Sequence, residues 1–220
     1  MKFPRCTRFV VAGCLLASGA AAAQSPDAKD GSDELAALLV LKGDPERGKL
    51  IFTSCQDCHR KDASGRANGV FPRLSGQYAS VLLKQISDIR RGRRNNPSMQ
   101  PLVATLGRNE IVDVVSYIQS LPIAPSNGKG PGGAVTRGRQ LYERDCVACH
   151  GANGEGEPAR FYPMVAAQHY RYLLREVFSI RDGDRGNSDP AMVQVVKGYS
   201  PTEIEAVADY MSQLPPPQRK

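Results

Sequence analysis

One pattern occurs twice, as Cys55-Gln56-Asp57-Cys58-His59 and as Cys146-Val147-Ala148-Cys149-His150, 91 residues apart. Together the two copies use every cysteine beyond the first fourteen residues. On a helical turn, positions i, i+3 and i+4 share a face, so each copy can aim two thiols and an imidazole at one point. Cys-x-x-Cys-His at this spacing is the signature of covalent haem attachment, with thioethers to the vinyl groups and the imidazole on the iron. A redox dithiol or half of a zinc site would explain a cysteine pair. Neither requires a histidine directly after it, and zinc would need both pairs to converge. Two haem c groups are expected, held by Cys55, Cys58, Cys146 and Cys149, with His59 and His150 on the irons.

Histidine is scarce: His59, His150 and His169 are the whole supply, so bis-histidine ligation of both irons within the chain is excluded. Met99 and Met192 are the expected sixth ligands. Each stands two residues after a proline and some way downstream of its histidine, in a segment that reads as a loop rather than an apolar helical face. The ordinary role of a methionine is to fill core space, and Met164 and Met211 read that way. His169 stands opposite Tyr78 in the repeat and is expected to be exposed or hydrogen-bonded. A soft thioether favours ferrous iron and raises the reduction potential.

The elements that must position these residues are themselves duplicated. At an offset of 91, Phe71-Pro72 falls on Tyr162-Pro163, Gln77 on Gln168, Leu82-Leu83 on Leu173-Leu174 and Ile89-Arg90 on Ile180-Arg181. Two residues are then inserted in the second copy, after which Met99 meets Met192 and Tyr117 meets Tyr210. The periodicity is helical throughout. In the first copy helices are expected from Asp44 into the haem motif, over Tyr78 to Arg91, and from Arg108 to a stop at Pro122. In the second they fall near 138–148, 168–182 and 201–213. The predicted fold is all-α, with domains at 44–122 and 136–214. A Gly- and Pro-rich stretch at 123–135 reads as a flexible linker, 24–43 as an N-terminal extension packed on the first domain, and 215–220 as a tail.

Residues 1–23 read as an export signal, with Lys2, Arg5 and Arg8 before the apolar run from Phe9 to Ala17 and small residues at Ala21-Ala22-Ala23. A lipidated Cys14 is disfavoured because the apolar run continues beyond it. No segment approaches the roughly 20 apolar residues of a spanning helix. Loss of Lys2, Arg5 and Arg8 lowers the formal charge from +7 to +4.

These residues closely resemble the dihaem cytochromes c of the cytochrome c4 type, built from two class I cytochrome c domains, over nearly all of the expected mature chain, from about Asp44 to Leu214. The resemblance implies pseudo-twofold packing and a periplasmic electron carrier that passes electrons from respiratory donors to a terminal oxidase. Redox-protein partners follow from it, and a monomer without catalysis of its own is expected. Carried over by motif, Pro72 and Pro163 match the family proline whose carbonyl accepts a hydrogen bond from the ligating histidine. Gly48 with Phe52, and Gly138 with Tyr142, match the residues where the first helix crosses the last. One departure stands out: Tyr142 precedes its cysteine by four residues and Phe52 by three, which puts the first helix crossing in question.

With porphyrin, histidine and methionine around each iron, no position is left for a substrate. A rival reading is the dihaem subunit of a periplasmic dehydrogenase, such as a flavocytochrome c sulfide dehydrogenase. A dihaem peroxidase would need an open iron, and a thiosulfate-oxidising cytochrome a cysteine ligand. Charge is asymmetric: 44–122 is net +5 and 136–214 net −2. The cluster Arg90, Arg91, Arg93, Arg94 could steer acidic partners or form a solvated loop. Export argues against nucleic acid as a partner.

Overall fold

The computed structural model describes residues 34–124 and 126–217, and the expected export signal lies outside them. Among the described residues the structure is helical, with one isolated β-bridge between Glu157 and Tyr162. Each half has the same plan. The first contains α1 (34–39), α2 (Pro45–Phe52), α3 (Gln56–His59), α4 (Ala79–Arg90), α5 (Gln100–Ala104) and α6 (Arg108–Ser120). The second contains α7 (Val135–Asp145), α8 (Val147–His150), a 3-10 turn at Pro158–Arg160, α9 (Tyr170–Asp182), α10 (Pro190–Val196) and α11 (Pro201–Gln213).

Local chemistry explains the boundaries. Asp44 caps α2 by accepting from the Glu46 and Arg47 amides, with Pro45 at the first helical position, where a missing N–H does no harm. Ser200 and Glu203 form a capping box on α11. The first helix of the second half ends earlier than expected: the chain breaks at Cys146 and restarts as α8.

In both halves the first long helix crosses the last at a glycine. A Cβ on Gly48 would lie 2.0 Å from the Asp113 carbonyl oxygen, and one on Gly138 2.0 Å from that of Ala206. Beside these crossings Phe52 meets Tyr117 at 5.4 Å and Tyr142 meets Tyr210 at 5.3 Å between ring centroids. The crossing of the first domain is therefore intact. Its missing residue is absorbed afterwards: the Cys55 amide bonds the Phe52 carbonyl three residues back, whereas the Cys146 amide reaches four back to Tyr142.

Segment 34–39 is fastened to the first half. Leu38 is fully buried in that half's core, a contact worth about 1.5–3 kcal/mol. Glu34 accepts from Arg90, Arg91 and Ser87. Glu34→Gln is expected to lower stability by about 1–2 kcal/mol, since both guanidiniums keep some solvent, and to speed limited proteolysis before residue 44.

This pairing revises the view of the arginine cluster as a free docking charge. Arg90 and Arg91 hold Glu34, Arg93 holds Asp88, and Arg94 reaches across to Glu176 of the second half. The linker also departs from expectation. Ser126, Asn127, Gly128, Gly130 and Gly132 are bonded to Arg73, Gln168, Ser212, His169 and Asp209, which lays the connector along the domain boundary. Its glycines serve close approach: a Cβ on Gly128 would meet the Ala67 carbonyl at 2.4 Å.

The halves dock with pseudo-twofold symmetry, visible in reciprocal hydrogen bonds. Gln168 accepts from the Arg73 amide and donates to the Arg73 carbonyl, at 2.9 and 3.0 Å. Gln77, its repeat mate, does the same to Met164, the mate of Arg73, at 3.1 and 3.0 Å. Arg94 bonds Gln85 and Glu176, while Arg185, its own mate, bonds Glu176 and Gln85. Such exchange is what an isologous interface requires.

Candidate haem sites

Each haem motif sits on a short helix, α3 or α8, whose single turn presents the two cysteines and the histidine together. The chain then leaves at positive φ, through Arg60 (66°) and Gly151 (76°). This sharp exit starts a loop that returns over the histidine. The Gly65 amide bonds the His59 carbonyl at 3.0 Å, and the Gly156 amide bonds that of His150 at 2.9 Å.

The same loop carries the proline that orients the imidazole. His59 Nδ1 lies 3.3 Å from the Pro72 carbonyl oxygen, and His150 Nδ1 3.0 Å from that of Pro163. A carbonyl only accepts, so Nδ1 carries the proton in both rings and Nε2 keeps a free lone pair. His59 Nε2 is buried without a hydrogen-bond partner. Burial pulls both imidazole pKa values down, against the opposing pull of the proline carbonyls, and so favours the neutral ring that a metal needs. An orphaned buried lone pair in a native core asks for an unseen partner, and iron fits it.

Gly65 and Gly156 are site residues that the sequence reading passed over. Both have positive φ, and a Cβ would lie 2.4 Å from the Pro72 oxygen in the first and 2.7 Å from the Pro163 oxygen in the second. Their identity at the offset of 91 was the available signal.

The cysteines fit thioether attachment better than redox or zinc chemistry. None of the four is paired in a disulfide. Burial, with a smaller push from Asp145, raises Cys146 to about 12, the opposite of the depressed value that marks a reactive dithiol. Among the described residues no group of three or more His, Cys, Asp or Glu side chains is placed to hold a metal ion.

The two methionines occupy different surroundings from each other. Met99 is half-buried in the turn that caps α5, as expected, whereas Met192 is the third residue of α10, so there a helix replaces the predicted loop. Pro190 starts α10 at its first position, which is where proline promotes a helix instead of breaking it. Met192 packs against the apolar cluster that contains Cys146. His169 is buried and has both nitrogens engaged: the Gly128 amide donates to Nδ1 at 2.9 Å, and Nε2 donates to the Ser64 carbonyl at 2.8 Å. It is a domain-boundary residue with no lone pair left for iron.

Comparison with known proteins agrees with this geometry. The cytochrome c family profile matches residues 45–122 and again 135–215. The chain is 35% identical to the thiosulfate dehydrogenase electron acceptor of Stutzerimonas stutzeri, over 81% of this chain and 91% of that protein. It is 29% identical to cytochrome c4 of Pseudomonas aeruginosa, over 82% and 93%. The crystal structure of reduced recombinant cytochrome c4 from Pseudomonas stutzeri superposes with a TM-score of 0.71 at 27% identity, covering 78% of this chain and 99% of that one. A duplicated cytochrome c domain, two Cys-x-x-Cys-His motifs for two covalent haem c groups, and an all-helical pseudo-twofold fold place this chain in the cytochrome c family, as a dihaem, electron-transferring member of the cytochrome c4 type.

Proposed function

We propose that the chain is an exported, periplasmic one-electron carrier whose irons are ligated by His59 with Met99 and by His150 with Met192. Residues 44–122 and 136–214 serve as the two haem-bearing units and 123–135 as their connector. When bound, each haem supplies a ferric/ferrous couple. The protein's own part is to fix the imidazoles through Pro72 and Pro163, exclude water and set the distance between the two centres. The observation that carries this reading is the buried, carbonyl-oriented imidazole repeated in both halves, with Nε2 of His59 left without a partner. Among the described residues no helix is long and apolar enough to cross a membrane.

Electrons enter from a periplasmic donor and leave to a terminal oxidase. The 35% identity to a protein named for accepting electrons from thiosulfate dehydrogenase favours a dehydrogenase of reduced sulfur compounds as that donor. The flavocytochrome-subunit reading differs in one observable: it requires stable copurification with a flavoprotein.

The test is a spectroelectrochemical titration of the purified holoprotein, with haem content measured alongside. Two haems per chain, two high-potential steps and a thioether-to-iron charge-transfer band in the ferric far-red spectrum are expected. Fewer than two covalent haems, or absence of that band, defeats the reading.

A further inference from the structure

We propose that Arg73 and Ser75 form a carboxylate-binding site in the first domain that takes a propionate of that domain's haem, and that the second domain has no counterpart. Arg73 is 4% exposed, yet only part of its donor set is used. Its Nη2 donates to the Ser126 carbonyl at 2.7 Å, while Nε and Nη1 are buried without a partner. Ser75, two residues on and 1% exposed, has an equally unpartnered Oγ. A guanidinium does not shed its proton, so burial with two idle donors calls for an anion. Among the described residues no carboxylate pairs with Arg73. Asp62 acts on it only through its field, and the Asp62 carboxylate accepts from the Ser64 amide.

Position supplies the anion's identity. Arg73 directly follows Pro72, whose carbonyl orients His59, so the idle donors lie on the loop that lines the first haem site. Apart from its iron, haem brings two carboxylates. In the repeat Arg73 corresponds to Met164 and Ser75 to Ala166, whereas Gln77 and Gln168, which bracket the same loop, are identical. The polar pair is therefore absent from the second copy, and the reciprocal glutamine bonds between the halves do not need it: they use only the backbone of Arg73 and Met164, the Arg73 side chain touching the connector through Nη2 alone. A cation held at a propionate in a low-dielectric interior favours the added electron, so the first haem is biased toward the reduced state. The proposal rests on covalent haem in the first domain and is independent of methionine ligation.

The experiment compares wild type with Arg73→Met and Arg73→Lys, all as dihaem holoproteins. Methionine is what the other half carries at this place, so the fold has a precedent for it. Expected in Arg73→Met are a fall in the potential of one haem, a smaller change in the other, a shifted propionate-bending band in resonance Raman spectra, and an unchanged far-red charge-transfer band. Arg73→Lys should recover most of the potential. Unaltered potentials in a folded dihaem Arg73→Met protein would overturn the proposal, as would equal falls at both haems. A wild-type potential that responds to inorganic phosphate at fixed ionic strength would assign the site to a solvent anion and overturn it too. Loss of the far-red band from wild type would instead strike the ligation proposed above and leave this one standing.

Discussion

Met192→Ala is expected to lower the potential of the second-domain haem by a few tenths of a volt, a sizeable part of the ~0.8 V range that axial ligands span. A thioether is a soft donor that stabilises ferrous iron, and the water or hydroxide that replaces it favours the ferric state. The far-red charge-transfer band should fall by half, and one ferrous haem should bind carbon monoxide. Met99→Ala should do the same at the first haem. Packing separates the pair: Met192 rests on the core around Cys146, so its truncation also removes about 1–3 kcal/mol of stability. Met192→Leu restores the volume without the sulfur, and the drop in potential should persist in it. A normal potential and an intact band in Met192→Leu would falsify methionine ligation.

Gly138→Ala is expected to destabilise the second domain by about 3 kcal/mol or more, lowering the thermal midpoint by about 10 °C. A Cβ there would sit 2.0 Å from the Ala206 carbonyl oxygen and 2.7 Å from the Tyr210 Cβ, so α7 and α11 would have to part along the crossing that supports the haem motif. Backbone cannot yield as a flexible side chain does. Gly48→Ala should act alike in the first domain, where the obstacles are the Asp113 carbonyl and the Tyr117 Cβ. Gly198→Ala is the control, because nothing lies within 4 Å of its added methyl. Thermal unfolding followed by circular dichroism decides the matter. A Gly138→Ala midpoint equal to that of Gly198→Ala would show that the helices slide apart freely.

Much of this was legible along the chain because it depends on near neighbours. The turn Cys-x-x-Cys-His specifies thiols and imidazole within five residues, and Asp44-Pro45 or Ser200-Pro201 announces a helix start within two. The segment of Met192 differs from the expected loop for an equally local reason: Pro190 occupies the first helical position, which favours proline, and Asp189 caps it. The doubt about the first helix crossing dissolved because a three-residue turn after Phe52 replaces the four-residue turn after Tyr142 downstream of the contact.

The sequence by itself determined an all-helical duplicated chain, two covalent haem c groups and the histidines offered to them, since spacing of a few residues settles each. Only the tertiary structure decided how the halves meet: Gln77 on Met164, Gln168 on Arg73, His169 spent between Ser64 and Gly128, and Arg94 committed to Glu176. Those partners are separated by roughly 40 to 105 positions. Whether a charge is free or consumed, or a lone pair open or occupied, depends on which surface the other domain covers, and no local pattern encodes that.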